Sequence, residues 1–140
     1  MSEEPKLVLL ALTVSSEGRE RLRLDPADSR LTANPVVIKE GVEYNLGLEF
    51  RVIHGDTSGV RYTHVVKRAG AKVDKLEEAL GSYAPSPDAS PYKKALSAEE
   101  APSGLTARSG SYHVRSRVID DDGTVYADFE WAYKLAKDWQ

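Results

Sequence analysis

The chain has 140 residues, with 19 Lys and Arg against 22 Asp and Glu, three histidines, no cysteine and a formal charge of −3. That length suits one domain with a full core. The charge balance argues against a nucleic-acid binder, which would carry a basic face. The lack of cysteine removes thiolate catalysis, thiolate metal sites and disulfides, and points to the cytoplasm. No apolar run approaches the roughly 18 residues of a membrane span, so stable membrane insertion is not expected. The acidic start MSEEPK is unlike a secretory leader.

Residues 1–5 read as a flexible N-terminal end and residues 6–140 as the folded domain. Residues 6–14 (KLVLLALTV) are apolar on both faces, as in a strand covered on both sides. A Ser-Ser-Glu-Gly turn leads to residues 19–24, where three arginines alternate with leucines. Residues 25–29 (DPADS) form a loop and residues 36–38 a short strand. Residues 43–54 alternate cleanly: Tyr44, Leu46, Leu48, Phe50 and Val52 face one way, Glu43, Asn45, Glu49 and Arg51 the other.

After the turn GDTSG, residues 60–68 predict another strand, closed by Ala69-Gly70. Residues 74–80 fit a helical turn or an edge strand equally well. Pro85, Pro87 and Pro91 exclude a central strand from residues 84–91. Ser97 to Glu100 has capping-box spacing, but Pro102 limits any helix there to one turn. Residues 111–119 alternate again, with Tyr112, Val114 and Val118 opposite His113, Arg115 and Arg117. Asp120 to Gly123 then turns the chain into residues 125–139, whose odd positions Val125, Ala127, Phe129, Trp131, Tyr133 and Leu135 form one apolar face. Strands spaced by Gly, Pro and Asp turns, with almost no helical period, predict an all-β, immunoglobulin-like antiparallel sandwich of about seven to nine strands.

Catalytic chemistry is not in evidence. His54, His64 and His113 occupy unrelated strand positions and read as solvated or edge histidines. GDTSG has Thr57 where a nucleophile elbow needs serine. A calcium loop with Gly123 in sixth place would start at Val118 and end at Phe129, neither a ligand. No metal, no cofactor and no enzyme activity are therefore expected. Core packing accounts for the apolar face; Leu10, Leu12, Leu48, Phe50, Tyr112, Val114, Phe129, Trp131 and Tyr133 are its expected interior.

A series of short blocks occurs in order: KEGVEY (39–44), FRV (50–52), SGVRY (58–62), VDK (73–75), LGSYAP (80–85), EEAP (99–102), AR (107–108), GSY (110–112), DDD (120–122) and KDW (137–139). Together they resemble the immunoglobulin-like domain of the Rho GDP-dissociation inhibitors, from about Leu7 to Trp139. The resemblance implies a monomeric cytoplasmic partner of prenylated Rho-family GTPases, receiving the geranylgeranyl lipid between its sheets, extracting the GTPase from membranes and keeping it GDP-bound. The family's N-terminal arm, which clamps the GTPase switch regions, is expected to be missing, since only about six residues precede the first strand.

Carried over by position, the resemblance makes those nine interior residues the prenyl-binding set. It implies that Glu99 and Glu100 face the basic tail before the lipidated cysteine, that Asp121 and Asp122 meet a basic residue of a switch region, and that Asp74 lies near the GTPase. Glu78 stands where the family often has tyrosine. The alternative is an adaptor sandwich that binds a protein partner through loops or a sheet edge without lipid.

Overall fold

The computed structural model describes residues 6–16, 22–55, 57–85, 90–96 and 98–137. In chain order the elements are β1 (Leu7–Ser15), β2 (Leu22–Leu24), β3 (Val36–Lys39), β4 (Glu43–Val52), β5 (Thr57–Arg68), β6 (Ala71–Tyr83), β7 (Tyr92–Ala95), β8 (Glu99–Glu100), a helical turn α1 (Leu105–Arg108), β9 (Ser111–Ile119) and β10 (Val125–Ala136). Two five-stranded sheets result. One runs β2-β1-β4-β7, with β8 also on β4; the other runs β3-β10-β9-β5-β6. The sandwich is as expected, but the strands described number ten. The added pair, β7 and β8, are short pieces on the free edge of β4. One pairing departs from the antiparallel pattern: β3 lies parallel to β10.

Period-two alternation becomes the core. Tyr44, Leu46, Leu48, Phe50 and Val52 of β4 meet Val60, Tyr62 and Val66 of β5, Tyr112, Val114 and Val118 of β9, and Phe129, Trp131, Tyr133 and Leu135 of β10 in one buried cluster. The apolar face of β10 starts later than the sequence pattern suggests. A register shift between Val125 and Ala127 leaves Val125 44% exposed and Ala127 half-buried. A similar irregularity in β1, between Leu9 and Ala11, turns Leu10 out of the buried cluster; Leu9 and Leu12 take the inward places.

The ambiguous segment 74–80 is an edge strand, paired along β5 from Ala71 to Tyr83. The capping-box spacing, where Pro102 leaves room for one turn at most, gives no helix among the described residues. Glu99 and Glu100 instead pair with Tyr44 and Glu43, and the helical turn comes after Pro102, at Leu105–Arg108. The expected loose end at residues 1–5, Arg19, Arg21, Pro87, Ser97, Asp138 and Trp139 lie outside the described residues.

His64 corrects the expectation of a solvated histidine: it is 3% exposed. Its Nδ1 shares a hydrogen bond with the Tyr62 hydroxyl at 2.9 Å, and that hydroxyl shares another with Ser116 Oγ at 2.7 Å. Trp131 Nε1 donates to the same Ser116 Oγ at 3.0 Å. One serine therefore satisfies the two largest fully buried side chains of the core, whose polar tips would otherwise lack partners.

Candidate functional site

The two sheets part at the end where β4 begins and β9 begins. There a cavity of about 310 Å³ opens between them. Its floor is aromatic: Tyr44 from β4, Tyr112 from β9 and Tyr133 from β10. Tyr112 and Tyr133 stack at 4.8 Å with an 8° interplanar angle, and Trp131 lies next inward, 5.8 Å from Tyr133. Arg68 covers the Tyr112 ring at 5.1 Å and donates to its hydroxyl at 3.1 Å.

The rim is acidic. β6 extends along β5 so that Asp74 stands opposite inward Val66, and Glu78 opposite inward Tyr62. From the other sheet β8 brings Glu99 and Glu100 to the same opening. Tyr44 donates its hydroxyl to Glu99 Oε2 at 3.3 Å. Burial, with the carboxylates of Asp74 and Glu78, pushes the Glu99 carboxyl above the usual range, against the pull of Tyr44. Burial also raises the Tyr44 and Tyr133 phenols, with Glu99 and Asp74 adding to it, so both stay neutral. Crowded carboxylates over a neutral aromatic floor form a site that a cation would relieve, above an opening that an apolar chain would fill.

Of the nine interior residues, Tyr112 and Tyr133 line this mouth. Leu12, Leu48, Val114 and Trp131 are at most 1% exposed and close the interior behind it. Phe129 is buried in the same cluster, while Leu10 is outside it. Phe50 is also buried, but it lies six residues along β4 from Tyr44, about 20 Å away at strand rise. There it packs on Tyr83 at 5.0 Å and Tyr92 at 5.5 Å.

The acidic residues divide in the same way. Asp74, Glu99 and Glu100 converge on the mouth. Asp121 and Asp122 occupy the turn at the far end of β9, about 23 Å of strand away from Tyr112. Their turn is held by Asp120, which is 4% exposed and accepts from the amides of Asp122 and Thr124 and the hydroxyl of Tyr126. Burial alone would raise the Asp120 carboxyl; these donors outweigh it and hold it below the ordinary range. The Tyr126 phenol, buried against Asp120, is pushed up to about 12. Asp121 is tied to β5, its amide donating to Ser58 O at 3.0 Å.

Sequence reasoning missed Tyr44, Val66, Arg68, Val73 and Pro102 at the mouth. Tyr44 was legible as an inward strand residue, but its meeting with Glu99 depends on β8, which is too short to announce itself. Among the described residues no group of His, Cys, Asp and Glu is placed to hold a metal ion. No helix there is long and apolar enough to cross a membrane.

Two curved sheets over an apolar interior, with Asp74, Glu99 and Glu100 beside the opening at one end, define an open β-sandwich. Solved structures share this fold at low identity. The C-terminal domain of wzt superposes with a TM-score of 0.61 at 11% identity, covering 96% of this chain and 76% of that one. A Niemann-Pick type C2 protein from Japanese carpenter ant gives 0.55 at 9%, covering 96% of each. The chain belongs to the Rho GDP-dissociation inhibitor family: the family model for the RHO protein GDP dissociation inhibitor matches residues 1–138. The Rho GDP-dissociation inhibitor of Schizosaccharomyces pombe is 37% identical over 96% of the chain, Rho GDP-dissociation inhibitor 1 of Arabidopsis thaliana 35% over 97%, and its human namesake 38% over 97%. The chain spans 66%, 56% and 67% of these relatives' lengths. The family is one of regulatory inhibitors, and its name makes Rho GTPases its partners.

Proposed function

We propose that this protein binds the geranylgeranylated C-terminal tail of a Rho-family GTPase, with the lipid between its sheets and the basic stretch of the tail across the mouth. In doing so it withdraws the GTPase from membranes and holds it, GDP-bound, in the cytoplasm, as a monomeric carrier and not an enzyme. The observation that carries the reading is the meeting of Asp74, Glu99 and Glu100 over the Tyr44, Tyr112 and Tyr133 floor. An adaptor working through loops or edges has no need of an opening into the core.

Magnitudes divide the labour. Burying a twenty-carbon isoprenoid contributes on the order of 10 kcal/mol, from about 0.8 kcal/mol per CH₂ less ordering costs. A bilayer offers the same chain a similar gain, so lipid burial alone leaves extraction near neutral. The mouth carboxylates act on what the membrane does not equally satisfy, the cationic stretch beside the lipid. Asp121 and Asp122, at the opposite end, are assigned to a second contact with the GTPase body. Leu12, Leu48, Val114 and Trp131 already pack tightly, so the lipid enters by displacing side chains behind the mouth.

Val114→Asp places a carboxylate in the path of the lipid, with Val114→Ala as the control for packing loss. Binding of geranylgeranylated GTPase is expected to survive the alanine change and to vanish with aspartate while the β-sheet circular dichroism persists. Undiminished binding by a folded Val114→Asp protein would reject the reading.

A further inference from the structure

The outward side of the β3-β10-β9-β5-β6 sheet is unevenly charged. Towards β10 its arginines are answered: Arg115 reaches Asp128 at 2.7 Å, and Arg117 reaches the same carboxylate at 3.8 Å. Arg61 meets Glu77 at 3.6 Å. Towards the β5–β6 hairpin the answer is missing. Lys67 stands directly across from Lys72 on one side and from His113 on the other, and Lys75 follows across from Val65. All three lysines are exposed, and among the described residues none of their ammonium groups has a hydrogen bond or ion pair, although the Lys75 amide donates to Asp74 Oδ1 at 2.8 Å. Like charges directly opposed across strands destabilise a sheet. The fold gains nothing from Lys67 beside Lys72, in a chain whose net charge is −3.

Three neighbouring features indicate what would neutralise them. A shallow depression of about 540 Å³ lies beside Lys67, Arg115, His113 and Ser111, is bounded by the small hairpin tip Ala69 and Gly70, and has one carboxylate, Glu130, at its β10 side. Val73, where the same hairpin meets the mouth, lines that opening and is 53% exposed. Arg68 ties the hairpin to the segment after α1 by donating to Ser109 Oγ at 2.6 Å, and α1 displays Leu105 at 78% exposure. Lysines with long apolar stems beside isolated exposed aliphatic residues suit the headgroup region of an anionic bilayer, where each basic residue gains electrostatically and each aliphatic one by burial.

We propose that this hairpin face seats the protein on an anionic lipid surface, with Lys67, Lys72 and Lys75 against headgroup phosphates and Val73 and Leu105 at the interface. The inward side of the same hairpin carries Asp74 of the mouth, so a protein so seated would hold its opening at the bilayer edge. The proposal goes beyond tail binding and stands without it, because bare vesicles carry no lipidated tail.

The test is co-sedimentation of the 140-residue chain with phosphatidylcholine vesicles, with and without phosphatidylserine. Binding is expected only with phosphatidylserine, weakening as salt is raised. The combined Lys67→Glu, Lys72→Glu and Lys75→Glu variant should bind more than about a hundredfold more weakly. Arg51→Glu with Lys94→Glu, on the other sheet, should bind as the parent does. Equal sedimentation with both vesicle types, retention by the triple variant, or self-association of the chain in place of vesicle binding would overturn the proposal.

Discussion

Glu99 is the residue at which stability and binding pull apart. Its carboxyl is raised by burial and by Asp74 and Glu78, so the folded protein holds that proton more tightly than the unfolded chain. The stabilising effect is complete below the unfolded value of 4.5 and is lost as pH rises through the folded one. Near neutral pH the ionised Glu99 is therefore a liability to the free domain. Glu99→Gln should raise the melting temperature near neutral pH, remove that part of the pH slope, and weaken binding of a basic lipidated peptide by about tenfold. Parallel thermal melts and peptide titrations check both halves.

His64 works in the opposite sense. Burial lowers its pKa, with Asp74 opposing, so stability is expected to fall as pH drops below the unfolded value of 6.5. His64→Gln, which can keep the Tyr62 hydrogen bond, should flatten that acid limb in melts across pH. At the same network Ser116→Ala would strand the Trp131 indole N–H and the Tyr62 hydroxyl, a loss of about 2–3 kcal/mol by urea denaturation. Neither His64 nor Ser116 stood out in the sequence. A histidine on an alternating strand looks the same whether its face is wet or dry, and Ser116 reads as an interruption of the apolar side of β9.

At the scale of elements, β6 and β8 make the site, and they were the least legible stretches. KLEEAL has helix-forming residues and no clean alternation. It becomes a strand because β5 offers a full-length edge and because the inward places near the mouth tolerate Asp74 and Glu78. The two residues of β8 show no periodicity at all; they are held by pairing with Glu43 and Tyr44. The long strands were legible because burial on one side imposes period two: β4, β9 and most of β10 follow the sequence pattern residue by residue. The bulges that turn out Leu10 and Val125 were not, since one added residue leaves no mark on composition.

Turn geometry adds a test at this scale. Gly59 has φ +60, and an added Cβ would overlap the Asp121 carboxylate. Gly59→Ala should therefore destabilise by about 2 kcal/mol and loosen the Asp120–Gly123 turn, read as a lower urea midpoint and faster amide exchange at Asp121.

At the scale of the whole molecule, two sheets enclose a mainly apolar interior with carboxylates at one opening and a second acidic turn at the opposite end. The sandwich could be read from strand spacing alone, and the family from ten short blocks in register. The convergence of Asp74, Glu99 and Glu100 could not be read from the residues themselves, because it joins β6 of one sheet to β8 of the other across 25 positions of sequence. The central claim is that the interior accepts a partner's lipid while the opening holds the charge beside it. Calorimetric titration of the chain with a geranylgeranylated basic tail peptide and with its unmodified twin tests this most directly. The lipidated peptide should bind at least about a hundredfold more tightly, with the negative heat-capacity change of apolar burial. Equal affinities for the two peptides would contradict the account.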